Sequence, residues 1–179
     1  MSYGDELFRA EATEGHKWAE VVCERMRSHG VACHTQPLEF ASSVEDRARF
    51  QNEQDISLDV IGGCIEVKSR RLNFTDDPAS FPYSTAFVDT CYGWDLKQPK
   101  PRAVVIVSQH TGACLVVPTS TQAGWTRKQS FDRVRRISET WYCAERPSLR
   151  PFMELVGWVV AKQRVAGGSG LSDTHLRLD

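Results

Sequence analysis

The chain holds no apolar run long enough to cross a bilayer. Its longest, near Ala103–Val107 and Leu155–Ala161, fall far short of the ~20 residues a spanning helix needs, so no membrane partner is expected. Charge of one sign is missing as well: 22 Lys+Arg stand against 23 Asp+Glu, a formal net charge of −1. That excludes a histone-like polycation. It leaves nucleic acid open, because local charge and bound metal govern a catalytic cleft. The six cysteines include no C-x-x-C pair, which removes the common zinc-site spacing. A zinc site built on Cys33 and His34 would need distant ligands. No secretory leader is expected, since Met1–Ala12 carries Asp5, Glu6, Arg9 and Glu11 where an apolar core would stand. Reduced, mostly buried thiols and a cytoplasmic location follow (host-cell cytoplasm for a viral protein). No Gly-rich phosphate loop follows a strand, and Ser108 and His110 lack a nucleophile elbow or triad spacing. Internal repeats and low-complexity segments are absent.

What is present is ordinary globular composition. Of 179 residues, 41% are hydrophobic and 25% charged, far from the profile of a disordered chain. This length supports one domain over one core, placed at residues 1–165, with a flexible tail over 166–179. A helix is expected from Glu11 to His29, where Trp18, Val22 and Met26 recur at i, i+4, i+8 beside Ala19. Thr13 suits its N-cap and Gly30 its C-cap. Val31–His34 suits a short strand ended by Pro37, and Ser42–Gln51 a loop or short helix. Ala103–Val107 and Cys114–Val117 suit a second hairpin about Thr111-Gly112, the first strand covered on both faces. Ser130–Cys143 is expected to be helical, with Phe131, Val134, Ile137 and Trp141 on one side. Phe152–Arg164 suits a last apolar strand or helix, followed by a flexible exit from Ala166.

The strongest pattern lies between. Asp55-Ile56-Ser57-Leu58-Asp59-Val60 alternates strictly, and so does Cys64-Ile65-Glu66-Val67-Lys68-Ser69. Gly62-Gly63 between them suits a hairpin turn. Asp55, Asp59, Glu66 and Lys68 then share one sheet face. Like charges across a hairpin repel, and a divalent cation removes the conflict. Carboxylate oxygens plus the backbone carbonyl of Val67 suit Mg²⁺, which keeps several waters and needs few protein ligands. Such an ion polarises a phosphoryl oxygen and activates water. Lys68 on the same face would orient that water or neutralise developing charge.

The spacing Asp55-(ten residues)-Glu66-Val67-Lys68 resembles the PD-(D/E)xK nuclease superfamily. The run Ile65-Glu66-Val67-Lys68-Ser69-Arg70 is similar to archaeal Holliday-junction resolvases and related phage nucleases. Gln54 stands where that pattern has proline. Gly15, Glu20 and Gly30 match loosely the helix that carries a glutamate before the hairpin. The resemblance covers roughly Glu14 to Arg71. It implies an α/β, restriction-endonuclease-like fold, with a central mixed β-sheet flanked by helices. It also implies a Mg²⁺-dependent deoxyribonuclease in which Mn²⁺ substitutes, and a homodimer, as many such enzymes form; the lack of a separate DNA-reading motif suggests cutting directed by DNA structure or by a partner, as in phage or mobile-element processing. Asp55, Glu66, Lys68 and Glu20 are then the catalytic candidates. Asp55, Glu66, Val67 and Asp59 are the metal candidates, and Ser69, Arg70 and Arg71 the DNA contacts. The alternative is a catalytically silent nuclease-fold module that binds nucleic acid or a partner protein.

Two arguments divide Asp55 from Asp59. A two-residue turn at Gly62-Gly63 sets Asp59 opposite Glu66, whereas the family spacing requires a longer connection and favours Asp55, the residue preferred here. Glu20 suits equally the polar flank of a helix, with Glu14, Glu24 and Glu53 as fallback acids. Arg127, Lys128, Arg133, Arg135 and Arg136 form a second basic cluster, which suits phosphate contacts or a solvated helix face. Trp94, Trp125, Trp141, Tyr83 and Tyr92 suit base stacking or the core.

Overall fold

A computed structural model describes residues 3–40, 54–132 and 137–168. Helix α1 runs from Tyr3 to Ser28. It buries Ala19, Val22, Cys23 and Met26 completely, the stripe that their 3.6-residue spacing dictates. The helix starts earlier than expected, so Thr13 is no cap. Its hydroxyl lies in mid-helix and donates to the Arg9 carbonyl at 2.7 Å, the back-bond typical of a helical threonine. Gly30 does end the helix: at φ +85° it lets Val31 N–H return to the Met26 carbonyl at 3.1 Å.

Six strands, β1 (Cys33–Thr35), β2 (Ile56–Leu58), β3 (Cys64–Arg70), β5 (Ala103–Ser108), β6 (Cys114–Pro118) and β9 (Arg150–Pro151), form a mixed sheet in the order β1-β2-β3-β5-β6-β9. Only β3 and β5 run parallel. A second, antiparallel sheet has the order β4-β8-β7, from β4 (Thr85–Thr90), β7 (Thr126–Asp132) and β8 (Ile137–Glu145). The short helix α2 (Cys91–Leu96) follows β4, and α3 (Phe152–Gly167) follows β9. The chain is therefore an α/β protein with helices at both ends.

The six-stranded sheet is covered on both faces, as the unbroken apolar runs of β5 and β6 require. Ile56, Ile65, Val67, Val105 and Val116 pack with α1 and α3. On the opposite face Val104, Ile106, Leu115 and Val117 pack with Phe74, Val88, Trp94 and Tyr142 from the crossover and the second sheet. In the parallel register Glu66 lies beside Val104 and Lys68 beside Ile106. The polar alternation of β3 thus points into the space between the sheets, and not to open solvent.

The described residues of Ser130–Cys143 are not helical. Residues 126–132 and 137–145 are antiparallel strands, paired from Thr126↔Cys143 to Asp132↔Ile137; Val134 and the arginines at 133, 135 and 136 lie outside the described residues. Ile137, Thr140, Trp141 and Tyr142 are β-formers, and β8 gains partners on both sides, which a local helical period cannot reveal. The last helix extends through Gly167, so the exit begins later than Ala166. Ser42–Gln51 and most of the tail also lie outside the described residues.

Candidate functional site

The connection between β2 and β3 decides which aspartate faces Glu66. Leu58 N–H bonds the Gly63 carbonyl at 3.0 Å and Gly62 N–H bonds the Leu58 carbonyl at 3.1 Å. The loop is therefore Asp59–Gly62, wider than a two-residue turn. Gly62 and Gly63 take φ +69° and +86°, a region that L residues avoid. The strands pair Ile56↔Ile65 and Ser57↔Cys64, and one step further in that register Asp55 stands opposite Glu66. Asp55 Oδ2 accepts the Val67 N–H at 2.6 Å. Asp59 is directed elsewhere, with its Oδ1 2.5 Å from His34 Nδ1. The tight-hairpin register is thus overturned, and Asp59 does not join the Glu66 cluster. Cys33, the other half of the conceivable zinc pair, points its sulfur at Cys23, 3.5 Å away.

Glu66 is 5% exposed yet charged, because both its oxygens meet ammonium groups. Lys68 Nζ lies 2.7 Å from Oε1, and Lys97 Nζ lies 3.1 Å from Oε2. Both lysines also face Asp89 Oδ2, at 3.5 Å for Lys68 and 3.8 Å for Lys97. Burial alone would raise the Glu66 pKa, but the two lysines outweigh it and hold the carboxyl below its ordinary value. Lys68 is the mirror case: burial would lower its pKa, and Glu66, Asp89 and Asp55 together hold it above the usual lysine range. Asp55 has no such direct partner. Burial, then the Glu66 charge, pushes it up to about 7.

Asp89 and Lys97 were not read from the sequence. Both belong to the crossover from β3 to β5. In β4 the register slips between Phe87 and Asp89, so Val88 and Asp89 are both buried while Phe87 stays exposed. That bulge turns an aspartate inward that strict alternation would turn outward. The local signal was α2 itself: Thr90 caps it, accepting from Gly93 N–H at 3.0 Å, and fully buried Trp94 anchors it. Asp89 and Lys97 bracket this helix.

A cleft of about 940 Å³ opens onto the cluster. Asp55, Glu66, Val67, Lys68, Ser69, Arg70 and Arg71 all line it, together with Trp141, Gln109 and, from α1, Glu11, Glu14 and His16. Glu20 is not among the lining residues; its carboxylate is mostly exposed and lies 3.6 Å from His16 Nε2. The α1 acids at the cleft are Glu11 and the fallback Glu14, which accepts from Trp18 Nε1 at 3.0 Å. Arg70 stacks 5.8 Å from the Trp141 ring centroid. One terminal nitrogen of Arg70, Nη2, is buried without a hydrogen-bond partner, and burial lowers the Arg70 pKa. Arg71 is exposed.

The donor set suits a hard divalent cation that retains most of its waters. Asp55 and Glu66 offer oxygens from facing strands, and Asp89 Oδ2 is buried without a hydrogen bond. Three carboxylates share two lysines in the cluster, and the Arg70 charge acts on Asp89 as well. Among the described residues no three His, Cys, Asp or Glu side chains form a ready-made metal cage, which limits a cation to few protein ligands. No helix among the described residues is long and apolar enough to cross a membrane. Comparison with family models, curated proteins and solved structures gives no match for this chain.

Proposed function

We propose that the chain is a metal-dependent deoxyribonuclease of PD-(D/E)xK type, with the restriction-endonuclease-like fold as its architecture. The observation that carries this reading is the facing pair Asp55 and Glu66 at a cleft, with Lys68 beside Glu66. Asp55, Glu66 and the Val67 carbonyl would hold Mg²⁺, or Mn²⁺ in its place, and Glu14 or Glu11 would face the same space from α1. When bound, the ion supplies Lewis acidity toward a phosphodiester oxygen and an acidified water.

The chain's own residues do the rest. Lys68, permanently charged between Glu66 and Asp89, donates to a non-bridging phosphate oxygen as negative charge builds on it. Asp55, fixed by the Val67 N–H on its Oδ2, would turn its carboxylate to the ion. Ser69, Arg70 and Arg71 follow Lys68 along the cleft and contact flanking phosphates. DNA cut by its structure, and a homodimer that places two sites on two strands, complete the proposal.

A second reading rests on one observation: Lys68 and Lys97 already occupy both Glu66 oxygens. That favours a silent module in which the cluster is a structural ion network and the cleft binds nucleic acid or a partner protein. Incubation with labelled linear, circular, single-stranded and branched DNA separates the two. The nuclease reading expects cleavage with Mg²⁺ and Mn²⁺ and none with chelator. Binding without cleavage under every metal condition supports the silent module.

A further inference from the structure

Resting on the nuclease reading, we propose that Lys97 and Asp89 are positioning residues that divide the roles of the two Glu66 oxygens. Lys97 pairs with Oε2, at 3.1 Å, and Lys68 with Oε1, at 2.7 Å. Lys68 has a second anion to turn to, Asp89 Oδ2 at 3.5 Å, which accepts no hydrogen bond. The arrangement lets Lys68 give up Oε1 to a cation and remain paired through Asp89, while Lys97 keeps the Glu66 carboxylate from turning. Without Asp89, a displaced Lys68 would be left as an uncompensated ammonium in a buried site. Without Lys97, Glu66 would gain freedom and the cluster would lose one positive charge.

The crossover builds this device as one unit. Asp89 Oδ1 is tied to the Thr90 N–H at 2.8 Å, and Lys97 N–H closes α2 on the Trp94 carbonyl at 3.2 Å. Gly93 lets the first turn pass close: a Cβ there would lie 2.8 Å from Thr90 Oγ1 and 3.5 Å from Asp89 Oδ1. Both ends of a six-residue helix thus meet the same carboxylate–lysine pair.

The two residues carry opposite charge, so they push metal affinity in opposite directions while both serve cleavage. Mn²⁺ binding by calorimetry should tighten about fivefold or more in Lys97→Met and weaken about fivefold or more in Asp89→Asn. Lys97→Arg should return affinity to near wild type. With chelator, the double variant should lose less melting temperature than the two single variants added together, a readout independent of metal and of activity. Affinity changes of the same sign, or less than about twofold in both variants, would overturn the assignment, as would strict additivity of the melting losses. A wild-type protein that takes up no Mn²⁺ would overturn both this inference and the nuclease reading. Metal uptake that ignores the variants would overturn the positioning role alone.

Discussion

Asp55→Asn should make the metal-free protein more stable, and by an amount set by pH. Burial and the Glu66 charge push the Asp55 pKa up to about 7, whereas an unfolded aspartate titrates near ~3.9. Between those values the folded state holds a proton that the unfolded state has lost. Stability therefore falls as pH rises through that window and levels off above about 7. The accumulated cost approaches ~4 kcal/mol at pH 8, at ~1.4 kcal/mol for each pKa step. Asparagine keeps the oxygen that accepts Val67 N–H and never ionises, so it removes the cost. For a chain of this length, 2–4 °C per kcal/mol puts the gain on the order of 10 °C at pH 8. The assay is thermal unfolding with chelator at pH 4, 6 and 8. The variant should match wild type at pH 4 and exceed it progressively toward pH 8. A variant that melts below wild type at pH 8, or a gap indifferent to pH, would refute the reasoning and mark Asp55 as a structural partner.

Other outcomes follow from the same geometry. Lys68→Ala should lower cleavage about a hundredfold or more, equivalent to ~3–4 kcal/mol of barrier, with unchanged far-ultraviolet circular dichroism. Asp59→Asn should retain at least about a tenth of wild-type cleavage while Asp55→Asn abolishes it, because Asp59 is engaged with His34; tenfold is ~1.4 kcal/mol, and the reverse order of damage would return the metal to Asp59. Among the α1 acids, Glu14→Gln should slow cleavage more than Glu20→Gln, measured side by side on one DNA substrate. Trp94→Ala should cost ~3–5 kcal/mol in denaturant unfolding, as for other buried tryptophans, because its ring is wholly enclosed.

The centre of the site was legible because its parts lie close in sequence. Two alternating segments around a glycine pair specify β2 and β3, and parity alone put Asp55, Glu66 and Lys68 together. Parity could not choose between Asp55 and Asp59, which share it; only the loop hydrogen bonds at Leu58 and Gly63 set the register. The α1 stripe was equally readable, but a stripe identifies the buried face and says little about which polar flank meets a cleft. The motif resemblance put Glu20 ahead of Glu14, and only the placed helix sets Glu14 at the cleft.

What could not be read depends on distant pairing. Asp89 sits in an ordinary-looking strand, and its inward turn comes from a bulge against β8, more than fifty residues later. The β8 strand itself was mistaken for helix because Ile137 and Trp141 fit a helical stripe by chance of spacing. Its true partners, β4 and β7, decide its conformation. With the second sheet missed, the enclosure that shifts Asp55 and pairs Lys97 with Glu66 could not be anticipated.

Manganese anomalous diffraction from crystals grown with Mn²⁺ tests the central claim most directly. The expected result is an ion with oxygens of Asp55 and Glu66 within ~2.0–2.3 Å, Lys68 moved off Glu66 Oε1 toward Asp89, and Lys97 still on Oε2. Crystals saturated with Mn²⁺ that show no anomalous peak between Asp55 and Glu66, with both lysines unmoved, would contradict it.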